Sequence, residues 1–255
     1  MEVWMSHNSY IITYPISGGN DLNLVLSHHV DHPVYHVEDV SIPELQKEYK
    51  DYDPRIRSVV SMITEVQRWP LLVTGPLGSW SSKERNIVLI GDAAHSMTNH
   101  MAQGAATSME DGAFLGRCIG QVVSGKITLQ QAVEIFETGR MPKAKFKQEV
   151  SFLNGCIWHL PDGPTQRKRD ETMKGELDGR RLEKSPNLYG EPKMARLVYG
   201  YDAEEDADGA LERFLRGEKL VDDKEEMEKV VAETFMNWAL SRGDDKDGTK
   251  IIAKL

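Results

Sequence analysis

The chain has 255 residues with 31 Lys plus Arg against 40 Asp plus Glu, a formal net charge of −9 that argues against phosphate-backbone binding and hence against nucleic acid as a partner. Hydrophobic residues at 40% and charged residues at 28% are ordinary globular values, which sets aside disordered, collagenous and coiled-coil classes. Two cysteines, Cys118 and Cys156, cannot build a disulfide framework or a zinc site and fit a reducing, intracellular compartment, and no apolar run reaches the length of a membrane span.

The first elements read as sheet. Met1-Glu2-Val3-Trp4 does not begin a signal peptide and reads as folded structure. Tyr10 to Ile16 is rich in β-branched and aromatic residues, Leu22, Leu24 and Leu26 alternate with polar or smaller neighbours, and Gly18-Gly19-Asn20-Asp21 supplies the turn. The pattern predicts an antiparallel hairpin with one face against a core. Two short helices are expected near Pro43 to Lys50 and Pro54 to Ile63, then an extended stretch from Glu65 to Thr74.

The strongest local signal is Asn86-Ile87-Val88-Leu89-Ile90-Gly91-Asp92, four apolar residues followed by Gly-Asp, which predicts a fully buried strand ending in a functional turn. A loop leads to Gln103-Gly104-Ala105 and a helix to about Val123, with Ala105, Met109 and Ala113 on one stripe. Thr128-Leu129-Gln130-Gln131 has capping-box spacing and opens a second helix carrying Leu129, Ala132, Val133 and Phe136. A third helical run, Phe146 to Leu160, precedes a polar stretch from Asp162 to about Pro192 that reads as a surface excursion. Between Tyr201 and Lys229 there are 12 acidic and 5 basic residues, so most of the net charge is local, and Met227, Val231, Phe235 and Trp238 mark a last amphipathic helix.

A strand, a Gly-Asp turn, a loop of small residues and a glycine opening a helix suit the polar tail of a cofactor. The helix start offers unpaired N–H groups and positive dipole character, and the short acid can accept hydrogen bonds from sugar hydroxyls. The ordered string from Gly91-Asp92-Ala93-Ala94-His95 through Gln103-Gly104-Ala105 to Glu110-Asp111-Gly112-Ala113 closely resembles the second flavin motif of FAD-dependent aromatic hydroxylases, the salicylate hydroxylase-like group. Tyr14-Pro15-Ile16 with Gly18-Gly19 and Leu22-Asn23 resembles that family's substrate-domain hairpin, and Gly200-Tyr201-Asp202-Ala203 its C-terminal region. The resemblance implies that Asp92 contacts the ribityl chain of FAD and that Gly104 and Ala105 face the pyrimidine end of the flavin, with Gly91 and Gln103 in support. It also implies NAD(P)H as reductant and a small aromatic substrate, for which Tyr14, Asn99 and His100 are the pocket candidates; no catalytic side chain is assigned.

The chain departs from the family pattern at Ser96, where proline is usual, and at Thr98-Asn99, which replaces an apolar-Pro step; both predict a looser loop with added hydrogen-bonding groups. Nothing before Gly91 carries the Gly-x-Gly-x-x-Gly turn that binds pyrophosphate. The implied fold is α+β or α/β, a truncated aromatic-hydroxylase-like fold. It has a substrate-domain antiparallel sheet and short helices over 1–80, a partial FAD domain over 81–160, and a C-terminal excursion and helices over 161–255. FAD is then expected to bind weakly or not at all to this chain alone. Two alternatives stand beside the monooxygenase: a flavin-independent remnant that binds a small aromatic or polyketide-like compound for a non-redox cyclisation or isomerisation, and one half of a split flavoenzyme. A partner chain or a homo-oligomer would cover the cut edge.

His28, His29, His32 and His36 do not make a metal set, because Pro33 interrupts the strand and no carboxylate or cysteine completes it. His95 with Asp92 lacks the Gly-x-Ser-x-Gly elbow that a hydrolase would need. Ala253-Lys254-Leu255 is a close variant of the Ser-Lys-Leu peroxisomal address, so the expected location is the peroxisome if that tail is free and otherwise the cytoplasm.

Overall fold

The computed structural model describes residues 1–183, 185–221 and 223–240, with 235–240 described by backbone alone. Two compact units emerge, one of residues 1–71 and 158–166, the other of residues 72–157 and the described residues from 167 onward. No helix among the described residues is long and apolar enough to cross a membrane. Ala253-Lys254-Leu255 lies outside the described residues, as do the side chains of Phe235 and Trp238.

In the first unit, β1 (Glu2–Ser6), β2 (Ser9–Ile16) and β3 (Asp21–His28) form an antiparallel sheet in that order. Ile11 stands opposite Trp4 and Leu26, while Ile12 stands opposite Val3 and Val25. Because side chains alternate along a strand, these two sets point to opposite faces. Trp4, Ile11 and Leu26 pack with Leu45, Tyr49, Ile56 and Val60 on α1 (Ile42–Glu48) and α2 (Pro54–Val60) and the turn between them. Val3, Met5, Tyr10, Ile12 and Val25 pack with Trp158 on the other face. The hairpin is therefore buried on both sides, not one, because the returning segment from Trp158 supplies a second cover that no local pattern announces. Both helices start as the sequence indicates, Ser41 accepting from the Glu44 amide at 3.3 Å and Asp53 from the Arg55 amide at 2.9 Å. The extended stretch after Glu65 narrows to β5 (Gln67–Arg68), paired with β4 (Glu38–Asp39).

The second unit is helical: α3 (Asp92–His95), α4 (Gly104–Val123), α5 (Leu129–Trp158), α6 (Pro164–Leu177), α7 (Pro192–Tyr199), α8 (Ala203–Leu215) and α9 (Lys224–Leu240). The capping box forms as spelled, the Thr128 amide donating to Gln131 Oε1 at 2.8 Å and the Gln131 amide to Thr128 Oγ1 at 3.2 Å. The two helical runs expected from Leu129 and from Phe146 are one helix with Pro142 inside it. Its buried face stays in register across the proline, through Phe136, Arg140, Ala144, Lys147, Ser151 and Asn154, so packing outweighs the lost backbone bond. Phe114, Cys118, Ile135, Phe136 and Ala144 meet Ala207, Ala210 and Leu211 of α8 in the main core.

Four expectations change in this unit. The stretch from Ile87 to Ile90 is not a buried strand: it makes one bridge, Ser81 to Val88, and leaves Ile87 66%, Leu89 39% and Ile90 42% exposed. An apolar run predicts a buried strand only when neighbouring strands are present to pair with it. On α4 the stripe of Ala105 and Met109 is turned outward, Met109 being 70% exposed, while Thr107, Asp111, Phe114 and Cys118 face in. Residues 72–80 belong to the second unit and not with 1–71, because the Glu137 carboxylate on α5 accepts from the Trp80 and Ser81 amides at 2.6 and 2.9 Å and from both flanking serine hydroxyls. The excursion after Asp162 contains a helix and is anchored, Arg169 donating to the Ile157 carbonyl at 2.8 Å and Leu188 lying buried. Among the described side chains of α9, Val230 is buried, flanked by half-buried Met227 and Val231.

Candidate functional site

The Gly91-Asp92 turn is laid along α4. Gly91 has φ +60 and ψ −143, a region open essentially to glycine, and a Cβ there would lie 2.8 Å from Ser108 Oγ. Its amide donates to Asp111 Oδ2 at 3.0 Å. Its carbonyl accepts from the Ala94 and His95 amides, both at 2.9 Å, which closes the single turn of α3. Asp92 is exposed, and its Oδ1 lies 3.9 Å from where a Cβ on Gly104 would be. At that point α4 begins without a side-chain cap and without an acid in its first turn. A carboxylate is thus set beside a helix start whose N–H groups are open to a ligand. Gly91→Ala is expected to cost about 1–3 kcal/mol for backbone strain alone, with the Ser108 contact added, read as a fall in the urea midpoint.

Gln103, placed just before the helix, is buried and does not cap it; its side chain bonds the Tyr199 hydroxyl, which in turn donates to the Met101 carbonyl at 3.3 Å. Ala105 is exposed on the first turn. Of the pocket candidates, Tyr14 belongs to the first unit, at the exposed end of β2, and Asn99 is half-buried in a short 3-10 turn of the second. His100 is buried against α5: a Cβ on Gly155 would come within 2.5 Å of its ring.

The loop from Ser96 to Met101 is held, not loosened, by the groups that replace the prolines. Ser96 Oγ donates to the Leu72 carbonyl at 2.6 Å, and its carbonyl accepts from Gln148 Nε2 at 2.9 Å. Thr98 Oγ1 and the Ser151 hydroxyl lie 3.1 Å apart, and Ser151 donates to the Thr98 carbonyl at 2.5 Å. Asn154 Nδ2 donates to the His100 carbonyl at 2.9 Å, while its Oδ1 accepts from the Leu188 amide at 3.0 Å. These three positions on α5, one half-buried and two buried, leave no mark in the sequence because apolar periodicity passes over polar residues.

Beneath the turn lies a buried charge network that was also missed. Asp111 accepts from His95 Nε2 at 2.6 Å and from Arg140 Nε at 2.9 Å. Arg140 also donates to Glu110 at 2.8 Å, Lys147 donates to Glu110 at 2.5 Å, and both cations lie over the Tyr201 ring. Burial alone would raise the Asp111 pKa; the bonds from His95 and Gly91 and the Arg140 charge overcome it and hold the carboxyl below the usual range. A depressed folded-state pKa contributes stability above the unfolded value of about 4 and loses it as pH falls through the lower folded value. The stability gap between the parent chain and Asp111→Asn is therefore expected to shrink on acidification below about pH 4, measured by thermal melts across pH. Among the described residues, no group of three His, Cys, Asp or Glu is placed to hold a metal ion.

Residues 58–144 match the family model described as an FAD binding domain. The chain is 29% identical over 217 residues to FAD-dependent monooxygenase OpS4 of Beauveria bassiana, covering 83% of this chain and 49% of that protein. It is 29% identical over 190 residues to 3-hydroxybenzoate 6-hydroxylase of Polaromonas naphthalenivorans, covering 74% and 46%. Among solved structures, a salicylate hydroxylase substrate complex superposes with a TM-score of 0.63 at 19% identity, over 82% of this chain and 48% of that one. CtdE in complex with FAD and a substrate gives 0.66 at 18%, over 84% and 48%. The fold is that of the aromatic hydroxylases, and the Gly91-Asp92 turn lies within the stretch that matches the FAD binding domain. The chain is similar to FAD-dependent aromatic hydroxylases and monooxygenases, and it spans about half the length of the relatives it matches.

Proposed function

We propose that these residues form the flavin-ring and substrate-sheet half of an FAD-dependent monooxygenase that hydroxylates a phenol-like or other small aromatic compound. The observation that carries this reading is the Asp92 carboxylate set beside the uncapped start of α4 at Gly104. The residues fit the cofactor: Asp92 accepts from ribityl hydroxyls, and the N–H groups of Gly104 and Ala105 face the electron-rich pyrimidine end of the ring. Gly91 and Gln103 hold these two groups in place. When bound, FAD reduced by NAD(P)H would supply the oxygen-activating chemistry. The protein's part is to orient the ring and the aromatic substrate and to exclude water, with Tyr14, Asn99 and His100 as the side chains nearest in role to the substrate.

The pyrophosphate and adenosine end of FAD is bound outside these residues, on the same polypeptide or on a partner, so the chain alone binds FAD weakly. Support for this comes from the half-length match and from the exposed Ile87, Leu89 and Ile90, an apolar stretch bridged on one side, to Ser81, and open on the other. A nucleotide-binding half or a second copy of the chain would cover it. Ala253-Lys254-Leu255 directs the protein to peroxisomes where that tail is free, and the cytoplasm is the location otherwise.

An absorbance scan of the purified chain before and after adding FAD tests the reading. Little flavin is expected on isolation, flavin bound at high added FAD, and at least a tenfold weaker titration in Asp92→Ala. NAD(P)H-dependent oxygen uptake with a panel of phenols is expected once the nucleotide-binding half is supplied. A chain that takes up no flavin at any concentration, yet binds aromatic compounds, returns the choice to the flavin-independent protein.

A further inference from the structure

Gly104, Ser108 and Asp111 occupy positions i, i+4 and i+7 of α4, one stripe of one helix face. The flavin-motif turn touches that stripe at three points: Asp92 Oδ1 beside Gly104, the Gly91 Cα against Ser108, and the Gly91 amide on Asp111. The first two contacts are passive, since both are van der Waals approaches to a glycine. Only Asp111 pulls. Its Oδ2 takes both the Gly91 amide and His95 Nε2, the two ends of the α3 turn, and its Oδ1 takes Arg140 Nε.

His95 has no other polar anchor, its Nδ1 being buried without a partner among the described residues and its ring lying 5.1 Å from Trp80. Arg140 is itself fixed from three sides, by Asp111, by Glu110 and by the Thr107 carbonyl at 3.3 Å, so the carboxylate cannot swing away from the turn. We propose that Asp111, braced by Arg140, is the positioning residue of the flavin site: it clamps Gly91 and His95 to α4 and so sets the distance between the Asp92 carboxylate and the Gly104 helix start. The inference rests on the flavin reading above for its consequence, but the clamp can be measured without flavin.

Asp111→Asn combined with Arg140→Gln removes both charges, with Asn isosteric to Asp and Gln two heavy atoms shorter than Arg, so the Asp111–Arg140 pair leaves no lone charge buried, and far-UV circular dichroism checks that the fold is kept. Hydrogen exchange on the full chain is expected to show at least tenfold faster exchange over 87–102 in this double variant, with peptides from 129–157 unchanged. Equal speeding in both regions would mean a merely structural role, and no change in either would mean no clamp; each result overturns the proposal. In FAD titrations followed by flavin fluorescence, the double variant is expected to bind at least tenfold more weakly than the parent. Adding Asp92→Ala to it should bring binding no lower than Asp92→Ala alone, within about twofold, because Asp111 acts through Asp92. Fully additive losses overturn the proposal. If the parent chain binds no FAD at all, it is the flavin reading that fails, and the exchange experiment alone decides on the clamp.

Discussion

Arg140→Ala is expected to cost about 3–5 kcal/mol of unfolding free energy, because it strips one partner from a buried ion pair and leaves the other charged. The guanidinium is fully buried on α5, with Asp111 and Glu110 as acceptors and Tyr201 under its plane at 5.0 Å. Burial opposes its charge, but the Tyr201, Asp111 and Glu110 electrostatics more than offset this and keep it protonated. After truncation Glu110 still has Lys147, but Asp111 keeps only the Gly91 amide and His95. At the lower end of a typical total stability of about 5–15 kcal/mol, a loss of that size would leave a substantial unfolded fraction at physiological temperature. Urea unfolding followed by far-UV circular dichroism checks it, with a lower midpoint and an unchanged slope as the expected result. Asp111→Asn with Arg140→Gln should lose clearly less, since both charges leave together. A cost below about 1 kcal/mol for Arg140→Ala would place the pair among weakly contributing surface bridges and contradict its burial.

The residues that form the site differ in how legible they are in the sequence. Gly91, Asp92 and Gly104 announce themselves through an ordered motif, and Asp92 Oδ1 lies beside Gly104 at the start of α4. The hairpin, the first two helices and the capping box at Thr128 are local signals, each satisfied within a few residues, and they appear where the sequence indicates. What was not legible is tertiary. Leu89 and Ile90 carry the composition of a buried strand, yet burial depends on neighbours that the described residues do not supply. Arg140, Lys147, Ser151 and Asn154 look like a solvent face because they are polar, yet all four are buried on α5. Their burial is made tolerable by partners on α4 and on the loop before it, some thirty to fifty residues away in sequence, and no window on a single helix contains that information. The same blindness produced the expectation of a loose loop: proline is a local way of stiffening a chain, whereas hydrogen bonds from a distant helix do the same work and leave no local mark.

Asn154 concentrates that effect in one side chain, and Asn154→Leu is expected to be among the most damaging substitutions in the second unit. Leucine keeps the branching and the number of side-chain heavy atoms and opens no cavity, so the change isolates hydrogen bonding from cavity formation. Asn154 is fully buried; its amide donates to the His100 carbonyl at 2.9 Å and its carbonyl oxygen accepts from the Leu188 amide at 3.0 Å. Leucine satisfies neither, and each backbone group left buried and unpaired costs about 1–3 kcal/mol, so the expected total is about 2–6 kcal/mol. The two groups belong to different loops, the one from Ser96 to Met101 and the segment before α7, so a second consequence is spatial. Hydrogen exchange in Asn154→Leu should speed up around His100 and around Leu188 together, while the Thr98–Ser151 contact continues to protect the start of the loop. Asn154→Asp, which keeps the acceptor for Leu188 and loses the donor to His100, should release the His100 side alone. If both sides respond equally to Asn154→Asp, the two loops are coupled through something other than this amide, and its role as their shared anchor is wrong.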